Sequence, residues 1–126
     1  MKETEILGTV YRLWVDNDGM DQQNADGVCR CYAKKIQVRP PEKMLCQDDD
    51  LEAKNSRYRE VLRHELIHAM LFEAGLGDYY DDEVLVDWLG KPVSPLLGIF
   101  LEGGGSTPVD VFPRMLELFE EEGCLC

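Results

Sequence analysis

His64 and His68 are the only histidines of this 126-residue chain, and they stand four positions apart in the segment RHELIHAM, residues 63–70. On an α-helix, residues at i and i+4 project from the same face one turn apart. Both imidazoles can therefore reach one Zn²⁺ ion at the usual Zn–N distance of about 2.0–2.1 Å. The residue types and their spacing predict a zinc site, provided that the segment is helical.

Glu65 follows the first histidine directly and would lie beside such an ion rather than on it. A catalytic zinc lowers the pKa of a bound water toward ~7, and a base must take the water's proton during attack on a carbonyl. Glu65 is the candidate general base, and it could later pass the proton to a leaving amine. The alternative is that the helix binds no metal. It would then be a surface helix with two solvated histidines, or with one histidine buried in the core.

A catalytic zinc usually has three protein ligands, and this chain has no third histidine. A carboxylate or a cysteine must then complete the site. Among the acids that follow the motif, Glu83 falls inside a second predicted helix, from which it could lean over the first. Asp87 lies four residues later on the same face and could accept a hydrogen bond from a ligand histidine. Asp81 and Asp82 are better explained by the favourable interaction of acids with a helix N-terminus.

The motif lies in the middle of a predicted helix. Residues 57–74 present a broad apolar surface without proline, and Gly75 stands where a C′ residue belongs. The charged connector before this segment could begin the helix at Leu51, or only at Asn55 or Ser56 as the cap. The sequence therefore satisfies the helical context that the zinc motif requires.

Other segments predict the remaining elements. Residues 8–15 read as a first strand, residues 16–27 as an exposed polar loop, and residues 28–39 as a hairpin of two short strands. Residues 81–90 predict a second helix, with acids in its first turn and glycine at its end. The expected fold is α+β, with a small antiparallel sheet packed on the motif helix and the second helix.

The C-terminal quarter of the chain is expected to be an appendage. We expect a first domain at residues 1–102, ending in a short helix at 94–102, and a glycine-rich linker with an amphipathic helix at 103–126. One face of that last helix is apolar: Phe112, Met115, Leu116 and Phe119. This face predicts packing on the same domain, or a contact with a partner or a second copy of the chain.

Composition narrows the partners and the compartment. The chain has 13 basic and 25 acidic residues and a net charge of −12, which repels nucleic acid and anionic membrane surfaces. No segment approaches the ~20 apolar residues of a membrane span, and the first residues lack a signal-peptide core. The odd count of five cysteines does not fit a secreted disulfide framework, so we expect free thiols in the cytoplasm.

Two cysteine pairs could form a second, sulfur-rich metal site. Cys29 and Cys31 share one face if they lie in a strand, and Cys124 and Cys126 repeat the same spacing. The C-x-C spacing lacks the two intervening residues that are usual in structural zinc knuckles. A cysteine in a strand is more often a small buried hydrophobe, and this interpretation is favoured here.

The arrangement resembles known zinc peptidases. HELIH, followed by a helix that carries Glu83 and Asp87, resembles the gluzincin metallopeptidases, in which a glutamate from the next helix completes the site. The chain is also similar, over residues 9–89, to small phage and prophage zinc-peptidase-like proteins related to the ImmA/IrrE family. That similarity is carried by Gly27, Cys29, Ile36, Val38, His64, Glu65, His68 and Glu83.

The sequence and the resemblance together predict a minimal zincin that hydrolyses peptide bonds. His64, His68 and Glu83 are expected to hold Zn²⁺, with Glu65 as the base and Asp87 orienting a histidine. A peptide or protein substrate could pair with an exposed strand, which is expected around residues 35–39. The alternative is a non-catalytic protein that is braced by zinc, or a degenerate peptidase scaffold that binds a partner.

Overall fold

The computed structural model describes residues 1–91 and residue 99, and within this part of the chain it has four strands, three α-helices and a short 3-10 helix at Pro41–Lys43. The α+β fold class expected from the sequence is confirmed. The predicted helix at 94–102, apart from Ile99, lies outside the described residues. The linker and amphipathic helix at 103–126 also lie outside them.

The sheet contains β1 (Lys2–Ile6), β2 (Thr9–Val15), β3 (Gly27–Arg30) and β4 (Lys35–Val38), in the spatial order β1-β2-β4-β3. The β1–β2 and β3–β4 pairs are antiparallel, which confirms the predicted hairpin. The β2–β4 pair is parallel, so the sheet is mixed and not purely antiparallel as expected. This pairing arises because the chain crosses over between β2 and β4 through a helix and β3.

The predicted strand at residues 8–15 is present as β2, but it is the second strand and not the first. A two-residue turn at Leu7 and Gly8 joins it to β1, and both residues have positive φ, 49° and 88°. Such turns match the right-handed twist of a hairpin. Leucine is rarely found at positive φ, so only Gly8 is a residue that is typical of such a turn.

The segment 16–27, predicted to be a loop, contains helix α1 (Asn17–Gln23), so this prediction was wrong. Asp16 caps the helix by accepting a hydrogen bond from Gly19 N–H at 3.0 Å. Met20 is its one buried residue, so the apolar periodicity that marks most helices is missing. Tertiary burial of one side chain, together with the cap, stabilises a helix that the pattern does not show.

The motif helix is α2 (Leu51–Glu73), and the earliest of the predicted starts is the observed one. Asp50 caps it by accepting from Ala53 N–H at 2.8 Å, and Gly75 follows it with φ 78°. The second predicted helix is α3 (Glu83–Leu89). Among the residues that the structure describes, no helix is both long and apolar enough to cross a membrane.

The core lies between the sheet and α2. Tyr11, Ile36 and Val38 contribute from β2 and β4, and Val61 and Ala69 contribute from α2. The motif histidines occupy the same long helix as these core residues. Packing of α2 on the sheet therefore fixes where their side chains point.

Candidate metal centre

Three side chains from two helices converge at one point. His64 and His68 come from the middle of α2, and Glu83 is the first residue of α3. The two Nε2 atoms are 3.0 Å apart, and Glu83 Oε2 lies 2.9 Å from His64 Nε2. Glu83 Oε1 lies 3.3 Å from His68 Nε2. The structure thus brings together the three residues that the sequence predicts as ligands.

A hydrogen-bond acceptor lies next to the Nδ1 atom of each imidazole, the ring nitrogen that does not face the cluster. His64 Nδ1 lies 2.8 Å from Asp87 Oδ1, and His68 Nδ1 contacts the backbone carbonyl of Tyr80. A carbonyl oxygen or an ionised carboxylate can only accept, so each Nδ1 carries the hydrogen. A neutral ring then presents its lone pair at Nε2. Asp87 therefore has the orienting position that the sequence predicts for it.

Two such lone pairs face the Glu83 carboxylate at close range. These electron-rich atoms repel one another unless a cation, either a metal ion or a proton, lies among the three groups. Four ligands arranged tetrahedrally at 2.0–2.1 Å from zinc are roughly 3.3–3.4 Å apart. The distances of 2.9, 3.0 and 3.3 Å come close to that spacing. The donor set of two imidazoles and one carboxylate also suits zinc. The residues therefore fit the predicted ion.

Glu65 is buried beside this cluster. Burial, reinforced by the nearby Glu83 carboxylate, raises the pKa of Glu65 to about 7, although His68 and a hydrogen bond from the Cys29 backbone act in the opposite direction. A carboxyl group with its pKa near neutrality can both take and release a proton. The structure thus places Glu65 in a setting that suits the predicted base.

The close approach of β3 to α2 depends on a residue without a side chain. A Cβ atom on Gly27 would lie 2.6 Å from Val61 Cγ1 and 3.1 Å from Glu65 Cγ. Any other residue at this position would force the Val61 side chain or the neighbouring backbone to move. Gly27 therefore allows the Glu65 side chain to lie directly against the strand.

A buried ion-pair network anchors the chain just before Gly27. Asp26 accepts hydrogen bonds from Arg39 Nε and Arg57 Nε, both at 3.2 Å, and from the backbone N–H of Leu45 at 3.1 Å. These contacts tie the start of β3 to the end of β4 and to α2. The network fixes the strand that lies against Glu65.

Two open cavities meet at the cluster. A cavity of about 620 Å³ lies on the side of Arg57, Arg63 and Lys91, and one of about 380 Å³ lies on the side of Cys31 and Tyr80. The residues common to both cavities are Gly27, His64 and Glu65. A ligand that spans both cavities would therefore pass directly over the candidate base.

The smaller cavity also contains two thiols. Cys29 and Cys31 line it, and their Sγ atoms are 3.5 Å apart. Burial raises the pKa of both thiols above the ordinary range. Cys31 is buried, as the sequence favours, whereas Cys29 remains partly exposed to the cavity.

Sequence reasoning missed two contributors to the site. The Tyr80 carbonyl that holds His68 is a backbone group, and no side-chain pattern can point to it. Asp26 lies in the segment predicted to be an exposed loop, although it is buried and bonded to two arginines. The one sequence feature that could have pointed to Asp26 is its position directly before Gly27 at the start of β3, and this feature is only weakly indicative of a buried ion pair.

Comparisons of this chain with protein-family models, with curated proteins and with solved structures found no match. The candidate site therefore rests on its own geometry. In the part of the chain that the structure describes, His64, His68 and Glu83 are the one group of three or more possible metal ligands that converges.

Proposed function

We propose that this chain is a zinc-dependent metallopeptidase. The observation that supports this most directly is the convergence of two Nε2 lone pairs and the Glu83 carboxylate beside a buried Glu65. A purely structural zinc site is usually closed by four protein ligands and has no need of a base. Here three candidate ligands and one carboxylate face open cavities.

Each residue has a separate task in the proposed reaction. His64, His68 and Glu83 hold the ion, while Asp87 and the Tyr80 carbonyl keep the rings oriented. Bound zinc supplies Lewis-acid polarisation and acidifies water. Glu65 accepts the proton of the attacking water and delivers it to the leaving amine. Burial raises the pKa of Glu65 above the ordinary glutamate value, and its side chain lies beside the three candidate ligands.

The substrate in this proposal is a peptide or protein segment that lies in the two cavities flanking Glu65. The sequence predicted an exposed edge strand around residues 35–39. This prediction was wrong, because β4 lies inside the sheet between β2 and β3. β1 and β3 are the two edge strands of the described sheet, and β3 lies against α2 beside the site. A substrate that is aligned by strand addition would therefore pair with β3.

The proposal also includes a protein family and a cellular compartment for this chain. We infer kinship with the ImmA/IrrE-related phage and prophage proteins from the motif residues, and a cytoplasmic location from the unpaired thiols. In the described residues, Cys29, Cys31 and Cys46 are free. This fits a reducing compartment.

Metal analysis of untagged protein tests the first step. We expect about one zinc per chain in the unaltered protein, and loss of that zinc in His64→Ala. Glu83→Ala should weaken zinc binding, whereas Val84→Ala, at an exposed neighbouring position on the same helix, should not. Zinc in neither the unaltered protein nor the variants would reject the site, and unchanged affinity in Glu83→Ala would reject the third ligand.

Glu65→Gln tests the chemistry separately from the metal. This variant should keep its zinc and its fold and lose peptide cleavage, because an amide cannot accept the water's proton. Glu52→Gln is the matched control, since Glu52 lies on the same helix, is exposed and lines neither of the two cavities. Equal cleavage by Glu65→Gln and the unaltered protein would contradict the assigned base.

A zinc-braced binding module is the second candidate, and one observation favours it. Val86 is the one residue of α3 that is buried, so few apolar contacts hold this helix. An ion shared by Glu83 and the two histidines would cross-link α3 to α2. On this alternative, zinc removal would unfold the protein, and Glu65→Gln would change neither binding nor stability.

A further inference from the structure

We propose that Cys29 and Cys31 form a second metal site, which takes a thiophilic divalent ion such as Zn²⁺ or Cd²⁺. Their Sγ atoms are 3.5 Å apart and line the same cavity as His64, His68 and Glu83. The inference does not depend on peptidase activity. It assigns to this pair a role that the spacing of C-x-C alone does not favour.

The sulfur positions suit a shared ion. Two thiolates that bind one tetrahedral zinc at about 2.3 Å are roughly 3.7–3.8 Å apart. The observed separation of 3.5 Å is within a few tenths of an ångström of this value. Cys29 lies in β3 and Cys31 follows the strand directly, and both side chains point to one side. A small rotation of the side chains is therefore enough to place both sulfur atoms on one ion.

The pair is reachable from solvent. The cavity of about 380 Å³ is open to solvent, so water can fill the remaining positions on the ion. Cys31 is buried, and its Sγ lies 3.9 Å from the His68 carbonyl oxygen. Cys29 is partly exposed and forms the entry side. Binding breaks two S–H bonds, forms two metal–sulfur bonds and releases two protons to solvent.

The two sites differ in the softness of their donors. Sulfur ligands select soft ions, whereas imidazole and carboxylate suit zinc without strongly preferring cadmium. Cadmium bound to thiolates also has an ultraviolet charge-transfer absorption that nitrogen and oxygen ligands do not produce. The absorption therefore reports on the cysteine pair alone, even if cadmium also enters the histidine cluster.

The experiment uses the full chain with Cys124→Ser and Cys126→Ser, because these residues repeat the C-x-C spacing. The reduced protein is loaded with zinc, titrated with CdCl₂ and followed by ultraviolet absorption. We expect one equivalent of cadmium to produce the charge-transfer band. Cys29→Ser and Cys31→Ser should each lose it, while Cys46→Ser should keep it because Cys46 Sγ contacts Asp48 O outside the cavity.

A second measurement needs no substitution in the pair. Cadmium should protect Cys29, the partly exposed thiol of the pair, from alkylation, detected by mass spectrometry of the peptides, and should leave Cys46 reactive. His64→Ala should keep the band, since the thiols alone produce it. Absence of the band from the titrated protein, or its persistence in both cysteine variants, would overturn the site. Alkylation of Cys29 at the same rate with and without cadmium would also overturn it.

Discussion

Asp87 Oδ1 lies 2.8 Å from His64 Nδ1 and thereby joins the start of the HELIH motif on α2 to the second turn of α3. The contact selects the tautomer in which His64 Nε2 faces His68 and Glu83. It depends on the four-residue spacing of Glu83 and Asp87, which places both carboxylates on one face of α3. In the proposed zinc site, Glu83 would contact the ion while Asp87 orients His64.

Replacing Asp87 with alanine should lower zinc affinity by about 10–100-fold, because His64 loses the acceptor that fixes its ring. The measurement is competition with a chromophoric zinc chelator. Asp78→Ala is the matched control, since Asp78 is an exposed acid on the connection between the two helices. Equal affinities of Asp87→Ala and Asp78→Ala would remove Asp87 from the proposed site.

Gly27→Ala should destabilise the fold by about 1–3 kcal/mol, because overpacking forces neighbours apart. The new methyl group would lie 2.6 Å from Val61 Cγ1 and 3.1 Å from Glu65 Cγ. Urea unfolding measures this cost, and peptide cleavage should fall as well, because Glu65 is displaced. Gly77→Ala should be near neutral, since a Cβ there meets nothing within 4 Å. A Gly27→Ala variant as stable as the Gly77→Ala variant would contradict this packing.

Arg39→Met should lower the free energy of unfolding by about 3 kcal/mol, because it leaves the buried Asp26 carboxylate with fewer partners. Arg39 is only 3% exposed and also donates to the Ala25 carbonyl at 2.9 Å. Arg57 still pairs with the other carboxylate oxygen and limits the loss. Chemical denaturation is the measurement, with the exposed Arg59→Met as a control expected to stay within about 0.5 kcal/mol of the unaltered protein.

Glu73 should make stability depend on pH in the acid range. A hydrogen bond from Lys34 lowers its pKa, and hydrogen bonds from Tyr11 at 2.8 Å and Thr9 at 3.3 Å act in the same direction. Because the folded-state pKa lies below the unfolded one, the stabilisation is complete above the ordinary glutamate range. It is lost as pH falls through the folded-state pKa.

Urea unfolding of Glu73→Gln across this pH range checks the prediction. The unaltered protein should lose stability on acidification more steeply than Glu73→Gln, because the amide carries no titrating group. Glu3→Gln, at an exposed position of β1, should follow the unaltered protein. Parallel curves for Glu73→Gln and the unaltered protein would show that the contacts of Glu73 do not stabilise the fold through its charge.

The sequence by itself determined the parts that depend on local periodicity. The four-residue spacing of His64 and His68, and again of Glu83 and Asp87, is one turn of a helix, so each pair shares a face wherever the helix packs. The hairpin of β3 and β4 was also predictable, because its strands are adjacent in sequence and alternate in polarity. The helical turn is set by the backbone, which explains why these predictions needed no knowledge of the fold.

Only the tertiary structure decided which of these faces meet. The parallel pairing of β2 with β4 joins segments separated by α1 and β3, and no local pattern specifies such a partner. The Tyr80 carbonyl reaches His68 because the chain turns between α2 and α3, and backbone groups leave no mark in the sequence. The thiols of Cys29 and Cys31 line the same cavity as His64, His68 and Glu83 because Gly27 lets β3 approach α2, a result of close packing between distant segments.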